Sequence, residues 1–391
     1  MAARNGSTTG SANVSASGGV ATGRVLITGG AGFVGSHLAD ELLEHGYDVR
    51  VLDNLDAQVH GESISRPAYL AEDVELVRGD VRDRAAVARA LRGVDAVFHF
   101  AAAVGVGQSM YEIERYTDVN NRGTAVLLEA ISQAPVARLI VASSMSVYGE
   151  GLYRTVSGDL VSPPERTPAQ LRAREWEPRL DGATLTPVPT PETKTLAPSS
   201  VYALSKLDQE RLALIVGPAY GIATVALRFF NIYGTRQALS NPYTGVLAIF
   251  ASRYLNRRAP MIFEDGQQRR DFISVRDVAR ACRLALASDA APGRVLNIGS
   301  GRSVSVAEIA DAMARTLGVD DLAPEITAKY RVGDIRHCFA DIALAREVLG
   351  YAPEVSLDEG LAELVAWMTT QRALDRVQAA SEELARRGLS L

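Results

Sequence analysis

The chain has 391 residues, long enough for one large α/β unit and a smaller second lobe. Its formal net charge of −5, from 41 Lys and Arg against 46 Asp and Glu, leaves no basic footprint for nucleic acid and no polybasic stretch for a membrane surface. No apolar run approaches the roughly eighteen residues of a spanning helix, and two cysteines (Cys282, Cys338) with five scattered histidines suit neither a disulfide framework nor a metal cage.

In chain order, residues 1–23 are mostly Gly, Ser, Ala and Thr with no apolar core. They read as a disordered tail and not as a signal peptide, and a cytoplasmic protein is expected. From Arg24 onward, β-branched apolar runs at 25–28, 49–53, 74–78, 96–100 and 139–143 alternate with helical spacing at 33–45 and 84–91. That alternation predicts the α/β class: a Rossmann, doubly wound parallel sheet with helices on both faces, over residues 24–230. Residues 150–198 break the rhythm, holding eight of the sixteen prolines and no convincing period. An insertion that long is expected to be functional, and we read it as a lid over the site. Residues 231–370 mix helices with short strands. They predict a smaller C-terminal α/β substrate lobe whose segments interleave with the first unit, and 371–391 read as a helical tail.

Thr28-Gly29-Gly30-Ala31-Gly32-Phe33-Val34-Gly35 follows a predicted strand and opens a predicted helix. Gly29 permits a tight turn, Gly32 lets backbone approach a pyrophosphate and Gly35 allows close helix–strand packing. The anion would sit against the amides of Phe33, Val34 and Gly35 at the helix N-terminus. Asp53, at the end of the second strand and followed by Asn54, can bond ribose hydroxyls and would repel a 2′-phosphate. NAD is therefore expected over NADP.

Tyr202-Ala203-Leu204-Ser205-Lys206 places a phenol and an ammonium four residues apart, on one helical face. The chain has three lysines (Lys194, Lys206, Lys329), so the pairing is not a product of abundance. A phenol titrates at about 10 and is a poor base at neutral pH. A neighbouring ammonium favours its phenolate and makes it a usable proton acceptor.

Together these motifs resemble the extended short-chain dehydrogenase/reductase family, and within it the nucleotide-sugar epimerase/dehydratase group. The resemblance covers roughly residues 24–370. It implies that Asp80 and Val81 contact adenine, that Ala101 and Ala102 wall the cofactor, and that Asn120 is the structural Asn of the following helix. Val147-Tyr148-Gly149 selects Ser144, ahead of Ser143, as the hydroxyl that orients the substrate and supports the developing carbonyl oxygen. Asn231 and Arg270 match the elements that hold a diphosphate, and Arg331 matches a second phosphate-binding arginine with Asp334 nearby. Members that dehydrate sugars carry Asp-Glu after the catalytic hydroxyl, where this chain has Met145-Ser146, so dehydration is not expected.

The segments 104–109 and 237–243 look most like the dTDP-L-rhamnose 4-epimerase subset, beside the UDP-glucose 4-epimerase type. The expectation is NAD-dependent C4 epimerisation of a nucleotide-diphosphate sugar by a homodimer. The alternatives are an NAD-dependent nucleotide-sugar dehydrogenase or reductase, a 4,6-dehydratase and a non-catalytic NAD sensor.

Overall fold

The computed structural model describes residues 22–61, 65–238, 245–330, 334–370, 383 and 385–388. Seven strands, β1 (Arg24–Thr28), β2 (Asp48–Asp53), β3 (Glu75–Arg78), β4 (Ala96–His99), β5 (Arg138–Ser144), β6 (Ala223–Phe229) and β7 (Val295–Ile298), form one sheet. Their order is β3-β2-β1-β4-β5-β6-β7, and every neighbouring pair is parallel. The doubly wound expectation is met. The strand centres are mostly apolar because both faces of the sheet are covered, while β3, at the edge, is only partly buried.

Alternation along each strand assigns its side chains to two cores. Val25 and Ile27 of β1 join one with Leu38 and Leu42 of α1 (Phe33–Glu44). Leu26 faces the other, with Ala86 and Val87 of α2 (Arg84–Ala90) and Leu127 and Ile131 of α3 (Gly123–Gln133). A π-helical turn, Thr117–Arg122, leads into α3. The longest helix, α4 (Val201–Ala219), packs against β5 and β6.

A third core, around Phe250, Ile309 and Leu364, joins α5 (Val246–Leu255) to two later helices. Between them α6 (Val275–Ala287) returns to the sheet and contributes Val278 and Cys282 to the first core. The two partners of α5 are α7 (Val306–Leu317) and α8 (Leu357–Thr369), each opened by a serine–glutamate capping box.

The insertion is more ordered than its composition suggests. Leu152–Arg154 pairs antiparallel with both Leu160–Val161 and Thr186–Val188, and Pro168–Arg172 makes one helical turn. Arg179–Leu180 and Ala183–Thr184 add a hairpin. Strands of two or three residues are too short to leave a readable period, which is why the sequence shows none. The predicted tail segments lie almost wholly outside the described residues.

Candidate active site

The carboxyl ends of β1, β2, β4, β5 and β6 open into one cavity of about 1080 Å³. Ligands in doubly wound sheets bind outside those strand ends. Gly29, Gly32, Phe33, Val34, Gly35, Asp53, Asn54, Asp80, Val81, Ala101 and Ala102 line one end, and Asn231, Arg270 and Asp334 the other. Ser144, Tyr202 and Lys206 lie on its wall. Arg331 falls outside the described residues, as do 239–243 of the segment noted above.

The glycine end accepts a dinucleotide on steric grounds. Gly29 has φ +71°, and a Cβ there would meet Ala101 N at 2.9 Å. A Cβ on Gly35 would stand 2.5 Å from Gly29 O, so the first turn of α1 lies against the strand. On Gly32 it would meet only Gly29 O, at 3.3 Å, which leaves the approach to the helix amides open. No side chain caps α1, so those amides are available for an anion. Asp53 is buried and accepts from the amides of Ala31 (3.0 Å) and Leu55 (2.9 Å). Burial raises its carboxyl, and those two amide bonds and His60 oppose the rise. Asp80 is bound by Arg82 and by Asn54 (3.1 Å), and the Arg82 bond leads in holding it down at about 2.

Tyr202 stands in the first turn of α4, which Ser200 caps by accepting from Ala203 N at 3.1 Å. The Ser144 hydroxyl accepts from the amide (3.2 Å) and hydroxyl (2.9 Å) of Ser146. Its own proton is thus left for another acceptor, and its side chain lowers the Tyr202 phenol against the burial that raises it. Ser143 is engaged elsewhere: it donates at 2.7 Å to Glu210, which is itself paired with Arg228 at 2.7 Å. Two adjacent serines therefore differ in availability, and Ser144 is the one beside the phenol.

The expectation that Lys206 lowers the phenol is not met without cofactor. Burial raises Tyr202, opposed by the Ser144 bond, while the Lys206 ammonium donates to Gln209 Oε1 at 2.7 Å. Burial likewise lowers Lys206 to about 7, with Glu210 opposing.

Gln209 belongs to a buried chain of hydrogen bonds that the sequence did not reveal. Thr124 donates to Asn120 O at 2.5 Å, so its oxygen must accept from His99 Nε2 (2.8 Å) and Gln209 Nε2 (2.9 Å). His99 then carries its proton on Nε2, and its Nδ1 accepts from Thr28 at 2.8 Å. Burial depresses His99 to about 3, which keeps it neutral. The ammonium is tied in this way to the threonine that begins the glycine loop. Asn120 is the one described site residue off the cavity wall. It bonds Ala103 N and O and the Ser205 hydroxyl (2.8 Å), joining the end of β4 to α4.

The sequence also missed a polar bridge across the cofactor end. Gln58 and Gln108 exchange amide bonds (2.9 and 3.3 Å), and Arg115 donates to Gln58 at 2.8 Å. The partners are about fifty residues apart, and no local pattern marks them.

At the far end Arg270 donates to the carbonyls of Arg269 (2.9 Å) and Arg336 (3.0 Å), with Asp334 at 4.0 Å. Asn231 Oδ1 is buried without a hydrogen-bond partner. A buried orphan amide on a cavity wall marks a position where a ligand can complete the bonding. No residue of 150–198 lines the cavity, so the lid expectation is not met.

A model of the NAD dependent epimerase/dehydratase family matches residues 25–170 and 181–299, more than half the chain. The chain belongs to that family. NAD is its cofactor, and the residues of the glycine end fit it. This chain is similar to a dTDP-L-rhamnose 4-epimerase of Burkholderia thailandensis, with 35% identity over 90% of this chain and 96% of the relative. It is also similar to a putative UDP-glucose 4-epimerase of Methanocaldococcus jannaschii, with 33% identity over 88% and 98%. Among solved structures, the UDP-glucose 4-epimerase of Thermotoga maritima with UDP-glucose superposes with a TM-score of 0.72 at 32% identity, covering 89% of this chain and 99% of that one. The Thermus thermophilus UDP-glucose 4-epimerase in complex with NAD gives 0.71 at 32%, covering 89% and 100%.

Proposed function

We propose that this enzyme is an NAD-dependent nucleotide-sugar 4-epimerase, acting through a 4-keto sugar on a dTDP-L-rhamnose or UDP-hexose type substrate. The observation that carries the reading is the placing of Ser144, Tyr202 and Lys206 on the wall of one cavity with cofactor-binding glycines at one end and Arg270 and Asn231 at the other. Similarity to 4-epimerases over nearly the whole chain supports it. NAD, when bound, supplies a reversible hydride acceptor. Tyr202 takes the C4 hydroxyl proton and returns it, while Ser144 donates to the developing carbonyl oxygen. Lys206 orients the cofactor ribose. Asn231 and Arg270, with Arg331 and Asp334, grip the diphosphate, so the sugar can turn about its anchor and present its other face. Met145 cannot transfer a proton, which leaves water elimination without its acid.

Residues 24–230 form the cofactor unit in this reading and 231–370 the substrate lobe. A homodimer is supported by the exposed apolar side chains of Val106, Met110 and Ile113 and of Leu204 and Ile215 on α4. Sedimentation as a monomer at micromolar concentration would refute it. Two buried free thiols suit a cytoplasmic setting, and among the described residues no helix is long and apolar enough to cross a membrane.

The test is mass-resolved chromatography of purified protein with dTDP-, UDP-, GDP- and CDP-sugars. A product of unchanged mass and new retention, formed without added cofactor, is expected. Loss of water, or a two-hydrogen change that requires added NAD(H), would replace the epimerase with a dehydratase or a dehydrogenase.

A further inference from the structure

The insertion does not reach the cavity, yet its charged side chains converge on the strand behind Arg270. Arg166 donates to the Asp334 carbonyl at 2.9 Å and pairs with Glu264 at 2.7 Å. The second Glu264 oxygen takes the fully buried Arg336 guanidinium at 2.9 Å, and Glu177 takes the same guanidinium at 2.6 Å. Glu150 accepts the successive amides of Arg336 (2.7 Å) and His337 (2.6 Å). His337 Nδ1 accepts from the Arg269 amide at 3.0 Å, so its proton is on Nε2, where it meets Glu177 at 2.8 Å. Arg269–Arg270 pairs with His337–Cys338, and Arg270 itself donates to the carbonyls of Ile335 and Arg336.

Each of these bonds fixes residues 334–337, and those residues supply carbonyls to the Arg270 guanidinium. Glu264 holds its place with φ +53°, a costly conformation for a residue with a Cβ. Its buried carboxylate between two arginines is what over-determines that backbone. Arg336 is held by Glu177, Glu264 and Asp265 together, and guanidinium and carboxylates multiply paired in this way restrict one another's movement.

We infer that the insertion is a clamp on the substrate-anchoring strand, in which Arg166 and Glu177 are positioning residues that hold residues 334–337 and, through their carbonyls, aim the Arg270 guanidinium at the substrate diphosphate. This rests on the reading of Arg270 as a diphosphate ligand. The clamp acts on affinity for the nucleotide and not on the proton chemistry at Tyr202, because no residue of it touches the Ser144–Tyr202 end.

The test compares Arg166→Gln, Arg166→Lys, Glu177→Ala and Glu177→Gln with Arg270→Gln in NAD-loaded enzyme. The readouts are Kd for UDP and dTDP by calorimetry, KM and kcat on the turned-over sugar, and bound NAD per chain by absorbance after acid release. Arg166→Gln and Glu177→Ala are expected to raise Kd and KM on the order of tenfold, with kcat and NAD content within about twofold. Glu177→Gln keeps an acceptor for His337 and is expected to recover part of the loss, as is Arg166→Lys. If Arg270→Gln weakens the nucleotide but the insertion variants do not, the clamp is overturned and the diphosphate reading stands. If Arg270→Gln leaves Kd unchanged, the diphosphate reading falls and takes the clamp with it. A fall in kcat equal to the rise in KM would place the insertion in the chemistry and overturn the clamp. Should Arg166→Gln fail to fold, Glu177→Ala decides, because its side chain is partly solvent-exposed and its loss leaves the Arg336–Glu264 pair intact.

Discussion

In the proposed mechanism proton transfer depends on one phenol. Tyr202→Phe is expected to lower kcat by on the order of a hundred- to ten-thousand-fold while bound NAD per chain stays as in the wild type. An equal loss of NAD would instead make the residue a cofactor ligand. In the same mechanism Lys206 serves as an ammonium, so its contribution is expected to fall as pH rises through its pKa, which burial has already brought down to about 7. The charged and titratable groups around it are Glu210 on its own helix, Tyr202 one turn before, and neutral His99 beyond Gln209. Replacing the Gln209 acceptor decides which way that pKa moves. Gln209→Glu is expected to shift the alkaline limb of kcat/KM to higher pH, and Gln209→Leu to lower pH. An unmoved limb in both would show that Lys206 does not set it. Tyr202 and Lys206 were legible in the sequence because the helix period alone puts them on one face. Gln209 was not, because its partner Thr124 lies 85 residues away.

At the scale of elements, the glycine loop shows where local sequence suffices. Gly35 has backbone of Gly29 and Gly30 within 2.6 Å of where a Cβ would stand, so Gly35→Ala must push α1 away from β1. We expect a loss of about 1–3 kcal/mol in denaturant titrations together with reduced NAD retention. Full stability with full NAD content would contradict the packing argument. The first five strands of the sheet were legible for the same reason, since a buried parallel strand is a short apolar run between turns, whereas β6 and β7 were not named from the sequence. The insertion was opaque. Its meaning lies in ion pairs whose partners are 98 (Arg166–Glu264) and 159 (Glu177–Arg336) residues apart, and its proline content pointed to a mobile lid.

For the molecule as a whole, buried histidines make stability depend on pH. His99 is depressed to about 3 by burial and His37 to about 4, so both are neutral in the fold and titrate at about 6.5 once unfolded. Below pH 6.5 the unfolded chain binds more protons, and stability is lost as pH falls toward those folded values. The limiting slope from His99 is about 1.4 kcal/mol per pH unit. Asp271 acts in the opposite sense: burial raises it to about 6, so its contribution is lost as pH rises from about 4 to 6. His99 acts without that opposition between pH 6.5 and about 6, and again below about 4. His99→Gln is expected to be less stable than wild type at pH 7.5, with a flatter fall of Tm between pH 6.5 and 4. Parallel slopes would mean that His99 is not the titrating group.

The strand order also governs how the chain can be made. From β4 onward each new strand joins the sheet beside the previous one, and β5, buried along its whole length, has an open edge until β6 arrives at residues 223–229. During translation the strand that ends in Ser144 must therefore wait, unpaired on one side, while nearly eighty further residues emerge. An open apolar edge invites pairing with another chain. The insertion and α4 are both synthesised in that interval, and α4, which packs on β5 in the finished fold, precedes β6 in the chain. A ribosome pausing before β6 would thus hold the helix of Tyr202 and Lys206 over an unfinished sheet.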